Sequence, residues 1–394
     1  MNETVNIIGL GYIGLPTALA FAQAGVEVVG TDIDTEKITK LTHGEVTFEE
    51  QGLEELFRRA HAHIHFTDKP VPAEIYIVTA GTPYIKETKK VDLRAVISAT
   101  KSVLGAAQDG AILVIESTVS PGSIDEEIRP LLPKDRTIHL AHAPERIIPG
   151  NMVYELFHNA RTVGADDPAI AERVRDLYAR FCGGEISITD IRTAEMTKVV
   201  ENTFRDINIA FANELAKICR KGGMDVAEVI RIANKHPRVS ILNPGPGVGG
   251  HCISVDPWFL VGEFPDETPL IRTAREVNSS MPVFVLGRAL EIAKKHKIAP
   301  ERIGLYGLSY KENVDDTRES PTLQLLEKSP FAHPVYDPHV KKAVVPNQCM
   351  DAETFLQSSD LIVVMVAHDA LKDLDLTGKV VLDTKRVLDG AYTL

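Results

Sequence analysis

Between Thr4 and Asp32 the chain commits itself to one kind of first domain. An apolar run enters Gly9, Gly11 and Gly14, with Tyr12 and Ile13 between the last two, and continues into the small, apolar helical pattern PTALAFAQAG. In a strand, turn, helix context G-x-G-x-x-G has a physical reading. The first glycine allows the tight turn, the second lets a pyrophosphate approach the helix N-terminus, and the third lets helix pack on strand. Alone the pattern is weak. Here a second strand, VEVVGTDID, ends at Asp32, eighteen residues past Gly14. A carboxylate there would accept the ribose hydroxyls of NAD and repel the extra phosphate of NADP. Asp34, beside Thr35, has instead the chemistry of a helix cap.

Strand-like runs recur at EIYIVT, AILVIE and from Ile138 to Ala143, with helical patterns between them, as a doubly wound parallel sheet requires. Ligands of such sheets sit at the carboxyl ends of the strands. Those ends read GTPY, STVSPGS and APERIIPG, and contain Thr82, Thr118 and Glu145. Each threonine alone is more often a strand cap than a ligand. A carboxylate after a proline at a strand end is better placed to act on a bound substrate.

From Thr193 a helical pattern of about thirty residues follows. Lys198, Asn202 and Arg205 fall on one face of it, at i, i+4 and i+7, where they could grip a sugar diphosphate or line a solvated surface. Further on, RIGLYGLSY, HPVYDP, DLIVVMVA and KVVLDT read as strands of a second, smaller α/β unit. The expected fold is α/β: two Rossmann-like, doubly wound parallel-sheet domains, 1–192 and 298–394, joined by a central helical domain, 193–297, with a long helix.

The segment NPGPGVGGHCISVDPWFL, Asn243 to Leu260, is too rich in glycine and proline for a core element and reads as a loop built for close approach of a ligand. Cys252 is at its centre, flanked by His251 and Asp256, so a thiol stands near two groups able to move protons. A structural cysteine in a tight turn is the competing reading. GVGGHCISVDPWFL resembles the active-site segment of the UDP-sugar 6-dehydrogenases, and other motifs of that family follow in its order across essentially the whole chain.

The resemblance implies roles residue by residue. Cys252 would be the nucleophile, Lys198 the oxyanion partner, Asn202 and Asp256 the holders of the water, and Glu145 the base. Thr82, Thr118 and Arg318 would touch NAD. Arg146, Ile147, Arg205, Gly249, Tyr310 and Lys311 would line the UDP-sugar. His236 and Arg238, in HPRV, would reach the sugar nucleotide of a neighbouring subunit, which implies a homodimer. Details of HCISVDPWF and HPRV favour UDP-N-acetylmannosamine over UDP-N-acetylglucosamine or UDP-glucose. His251 could bias the thiol or touch the substrate.

Charge and cysteines narrow the alternatives. A net charge of −12 speaks against a nucleic-acid partner, which needs a clustered positive field. The four cysteines, at 182, 219, 252 and 349, form no C-x-x-C pair, so neither a metal site nor a disulfide framework is expected. No apolar run of about eighteen residues and no basic-then-apolar leader appears, so the expectation is a cytoplasmic protein without a membrane span. A two-electron hydroxyacid dehydrogenase would need no cysteine loop. A non-catalytic NAD sensor would have no reason to keep thiol, lysine and carboxylate together.

Overall fold

The computed structural model describes residues 3–148 and 150–394, so Pro149 of the APERIIPG segment lies outside the described residues. The chain divides into two compact units, 1–200 and 201–394.

In the first unit the elements run β1 (Thr4–Ile8), α1 (Gly14–Gln23), β2 (Glu27–Thr31), α2 (Thr35–Thr42), α3 (Leu53–Ala60), β3 (Ile64–Thr67), β4 (Ile75–Val78), α4 (Arg94–Ala106), β5 (Ala111–Ile115), β6 (Ile138–His142), α5 (Met152–His158), β7 (Arg161–Ala165), α6 (Pro168–Tyr178) and β8 (Ile186–Thr189). Among the described residues eight strands form one sheet in the order β3-β2-β1-β4-β5-β6-β7-β8. The reversal of order beside β1 opens a crevice between β1 and β4, the place where such sheets bind ligands. Because helices cover both faces, the central strands are apolar or aromatic apart from Thr4 and Asn6 of β1. Ile7 and Ile77 on one face and Val78 and Leu113 on the other have no exposure, each burial contributing about 1.5–3 kcal/mol. One departure from a wholly parallel sheet occurs: β7 pairs antiparallel with β6. The chain therefore turns back at the carboxyl end of β6, where Glu145 lies, in place of crossing the sheet.

Helix α7 (Ile191–Gly222) is 32 residues long and runs from the end of the first unit into the second. Asp190 caps it, accepting from the Thr193 amide at 2.8 Å and hydroxyl at 2.6 Å. It stops where Gly223 takes φ +68° and the Met224 amide donates to the Cys219 carbonyl. The second unit continues with α8 (Val226–Ala233), α9 (Asp256–Glu263), α10 (Pro269–His296), β9 (Ile303–Tyr306), α11 (Pro321–Lys328), β10 (Val335–Tyr336), β11 (Gln348–Cys349), α12 (Ala352–Ser358), β12 (Leu361–Val364) and β13 (Val380–Asp383). Its parallel sheet has the order β11-β10-β9-β12-β13, which repeats the connectivity of the first five positions of the larger sheet. The glycine-rich loop ends earlier than its composition suggests. Asp256 already opens α9, with Pro257 in the first turn, where proline's missing N–H costs nothing.

Candidate active site

The first glycine turn is shaped by what it excludes. Gly9 has φ +99°. A Cβ on Gly14 would lie 1.8 Å from the Gly9 carbonyl oxygen and 2.4 Å from the Thr79 hydroxyl, so any side chain there would force α1 off β1. A Cβ on Gly11 would meet nothing within 4 Å, which leaves its backbone approachable. Thr79, at the end of β4, donates to the Gly9 carbonyl at 2.6 Å and holds the turn from the far side of the crevice. Asp32 accepts from the Leu10 amide at 2.8 Å, the Asp34 amide at 2.9 Å and the Lys37 ammonium at 2.7 Å. Burial works against its charge, but Lys37 and the two amides hold the carboxyl below its usual range. Asp34 caps α2 through the Glu36 and Lys37 amides. An open glycine backbone at a helix N-terminus and a fixed carboxylate at the end of β2 suit a dinucleotide with an unmodified ribose.

Around the strand ends of the same unit, Thr82 is buried and Thr118 half-buried. The loop after Thr118 is tied to α7 by Glu195, which accepts from the Gly122 amide at 2.6 Å and the Ile124 amide at 2.9 Å. Burial raises Glu195 to about 7 against those two amides. Glu195 thus links the loop after Thr118 to the helix that carries Lys198, itself buried, one turn further on. Glu145 is buried, accepts from its neighbour Arg146's amide at 2.6 Å and pairs with Arg161 of β7. The Arg146 guanidinium donates to Thr162 at 2.8 Å, and Ile147 packs in an apolar cluster with Ala20, Met152 and Leu156.

In the second unit the cysteine loop is cut to fit its neighbours. Gly250 has φ +85°, and a Cβ on it would fall 2.7 Å from the Tyr310 ring; one on Gly249 would fall 2.6 Å from the Glu319 carbonyl and 2.9 Å from Tyr310. The Gly250 amide donates to the Arg318 carbonyl at 2.9 Å. Tyr310, Arg318 and the loop of Cys252, far apart in sequence, therefore form one surface. Lys311 beside Tyr310 is half-buried, and the Arg318 guanidinium pairs with Asp316. Cys252 presents an exposed thiol, while its carbonyl accepts from the Val255 and Asp256 amides at the start of α9. The side chain of Asp256 is buried and accepts from Asn202 of α7 at 2.6 Å. Burial, then the charge of Arg318, holds the His251 imidazole below its ordinary range.

Several residues of this unit carried no signal in the sequence. Asn213 donates to Asn278 of α10 at 2.8 Å and accepts from the Gly245 amide at 2.9 Å, pinning the start of the cysteine loop. Asp206 accepts from Arg275 at 2.6 Å and from Asn278 at 2.8 Å, all three buried. Only their i, i+7 positions on one face of α7, shared with neither Arg205 nor Phe204, could have hinted at them. Arg205, His236 and Arg238 are exposed, the last two joined through the Arg238 amide and the His236 ring at 3.3 Å.

A glycine cradle for a dinucleotide, a second sheet of like connectivity and a cysteine loop on a long helix define an NAD-dependent dehydrogenase. Three family models cover most of the chain: the NAD binding domain of the UDP-glucose/GDP-mannose dehydrogenase family at residues 3–182, its central domain at 192–280 and its UDP binding domain at 304–390. The chain belongs to the UDP-glucose/GDP-mannose dehydrogenase family and is an NAD-dependent nucleotide-sugar dehydrogenase. It is 42% identical to the UDP-N-acetyl-D-mannosamine dehydrogenase of Methanococcus maripaludis, over 98% of this chain and 93% of that protein. It is 39% identical to the NDP-N-acetyl-D-galactosaminuronic acid dehydrogenase of Ralstonia nicotianae, over 97% and 96%. Among solved structures, the UDP-N-acetyl-mannosamine dehydrogenase of S. aureus matches with TM-score 0.88 and 37% identity, over 100% of this chain and 97% of that one. Among the described residues no helix is long and apolar enough to cross a membrane, and no group of three or more His, Cys, Asp or Glu could hold a metal ion.

Proposed function

We propose that the chain oxidises the terminal carbinol of UDP-N-acetyl-D-mannosamine to a carboxylate, reducing two NAD per sugar. The exposed thiol of Cys252, at the head of a helix whose Asp256 is bonded to Asn202, is the observation that carries this reading. A two-electron dehydrogenase would stop at the aldehyde and need no such group. The names of the mannosamine relatives support the choice of sugar.

NAD, when bound, accepts a hydride from the sugar carbon in each of two rounds. After the first, in which the carbinol hydroxyl also gives up its proton to water and an aldehyde results, the Cys252 thiolate adds its sulfur to the aldehyde carbon, and the carbonyl oxygen takes the electron pair and a proton. Loss of hydride and of that proton leaves a thioester on Cys252. Water then adds to the thioester carbon as Glu145 takes its proton, and the carbon–sulfur bond breaks with its pair on Cys252. Lys198 offsets the oxyanion in both additions, and Asn202 and Asp256 hold the water. Tyr310, Lys311, Gly249, Arg205, Arg146 and Ile147 line the sugar nucleotide, and Arg318 reaches the cofactor phosphates.

Phe204, Phe211 and Ile218 are exposed at 66%, 52% and 51% along one stripe of α7. An apolar stripe of that length supports a homodimer, in which His236 and Arg238 would serve the partner's site. A thiol nucleophile and an NAD supply fit the cytoplasm. The test is mass spectrometry of the product from UDP-N-acetylmannosamine, UDP-N-acetylglucosamine and UDP-glucose, with NADH counted alongside. The expected result is a uronate from the first sugar and two NADH per uronate, with Cys252→Ala binding NAD but making no acid. One NADH per sugar, or acid from the Ala variant at a comparable rate, overturns the covalent scheme.

A further inference from the structure

Behind Glu145 the first unit buries three charged side chains together. Arg161, at the start of β7, reaches Glu145 with one nitrogen and Glu116, at the end of β5, with the other, the latter at 3.2 Å. The side chains of Arg161, Glu145 and Glu116 are 4%, 4% and 0% exposed. The guanidinium also stacks over Tyr178 of α6, 4.6 Å from its ring centre, and lies 5.4 Å from that of Phe181. Such a site has no solvent to screen it, so each charge is felt by the other two. Two carboxylates compete for one cation. The Tyr178 hydroxyl lies against Glu116, and burial followed by the charge of Glu116 pushes that phenol well above its usual range.

We propose that Arg161 is the positioning residue of the base Glu145, and that Glu116, by sharing the same guanidinium, sets how strongly Glu145 takes a proton from the hydrolytic water. This rests on the reading of Glu145 as that base. When Glu145 accepts the proton, the Arg161 guanidinium still has Glu116 beside it at 3.2 Å, and above the Glu116 transition that carboxylate keeps the buried cation compensated.

The groups facing this cluster are Glu145 from the end of β6, Arg161 from β7, Tyr178 from α6 and the thiol of Cys182 beyond it. His142, bonded to the Ile115 carbonyl, is pushed down to about 4 by burial and carries no charge. Burial lowers the cation's own stability, but Glu145 and Glu116 more than hold Arg161 protonated. Glu116 is raised from 4.5 to about 8, by burial first and by Glu145 against the pull of Arg161. Below that pH the Arg161 guanidinium has one ionised carboxylate, Glu145, to pair with, and above it ionised Glu116 shares the cation.

The experiment is the pH profile of thioester hydrolysis in a single turnover with UDP-N-acetylmannosamine and NAD. It compares the unchanged enzyme with Glu116→Gln, Arg161→Met, Arg161→Lys and Glu145→Gln. The unchanged enzyme should show a step up in rate near the Glu116 transition that is missing from Glu116→Gln. Arg161→Met should lose about 100-fold in hydrolysis with little change in KM, and Arg161→Lys should recover part of that, since one ammonium can serve one carboxylate but not both. NAD binding by each variant reports folding; if Arg161→Met does not fold, Glu116→Gln carries the test. A Glu116→Gln profile that overlays the unchanged one, with Glu145→Gln impaired, overturns the inference and leaves the base in place. A Glu145→Gln enzyme that hydrolyses at the unchanged rate removes the base itself, and the inference with it.

Discussion

The two sheets repeat one connectivity and answer to different chemistry. In each, a glycine with positive φ follows the central strand, Gly9 at +99° and Gly307 at +96°. In each, an aspartate at the end of the next strand accepts from the amide after that glycine: Asp32 from Leu10 at 2.8 Å, Asp337 from Leu308 at 2.7 Å. There the likeness ends. After Gly9 come Gly11 and Gly14, and α1 begins at once; after Gly307 come Leu308, Ser309 and Tyr310, and α11 waits until Pro321. Besides the Leu10 and Asp34 amides Asp32 takes the Lys37 ammonium, whereas Asp337 takes the buried ring of His368 at 3.1 Å and the Ser309 and His339 amides at 2.9 and 2.8 Å. A strand-end aspartate suits a ribose only where its remaining lone pairs are left open, which is the role proposed for Asp32. With His368 on it, the same residue becomes a structural anchor.

If that distinction holds, the largest effect should come from Gly14. Gly14→Ala puts a Cβ 1.8 Å from the Gly9 carbonyl, and NAD affinity, read by calorimetry, should fall by about 100-fold. An unchanged dissociation constant would mean that the cradle is not where NAD binds.

A smaller change is expected from the two aspartates. Asp32→Ala should reduce the preference for NAD over NADP, in kcat/KM, by about tenfold or more, since the repelling carboxylate is gone. Asp337→Asn should leave that preference where it was. Equal shifts from both would erase the difference between the sheets.

Stability against pH should differ in sign between the units, and this is the subtlest effect. Asp337 is pushed up by burial, but the bond and charge of His368 and the Ser309 and His339 amides outweigh it and hold the carboxyl well below its usual range. Its contribution is present above the ordinary aspartate value and is lost as pH falls below it. Glu116 runs the other way. With its folded value raised to about 8, the folded state binds a proton the unfolded state does not, so stability declines as pH climbs from the ordinary glutamate value toward about 8. Thermal melts across about pH 3 to about pH 9 should show Glu116→Gln flattening the neutral-side decline and Asp337→Asn flattening the acid-side loss. Swapped or absent effects would show that these two carboxylates do not control the pH response.

What could be read along the chain was what lies contiguous in it. The strand, glycine turn and helix from Thr4, the acid at Asp32, and the thiol and carboxylate of Cys252 and Asp256 each fall within one local segment whose geometry is fixed by φ limits and helix dipoles. The end of the cysteine loop was misjudged for a local reason as well: Pro257 reads as a loop residue, yet proline suits the first turn of a helix and α9 starts at Asp256. The reversal of β7 carried no mark, since a strand's direction depends on which neighbour it meets.

By itself, then, the sequence determined the two nucleotide-type sheets and the long helix, because backbone sterics and hydrophobic periodicity act between near neighbours. Tertiary structure alone decided which groups face each other. It set Arg161 between Glu116 and Glu145 from three different strands, drew Tyr310 onto Gly250, hung the start of the cysteine loop on Asn213, and covered Asp337 with His368 while leaving Asp32 to Lys37. These pairings depend on burial and on charges brought together from distant segments. No spacing along the chain encodes them, since the strength of each follows from the solvent that the fold excludes.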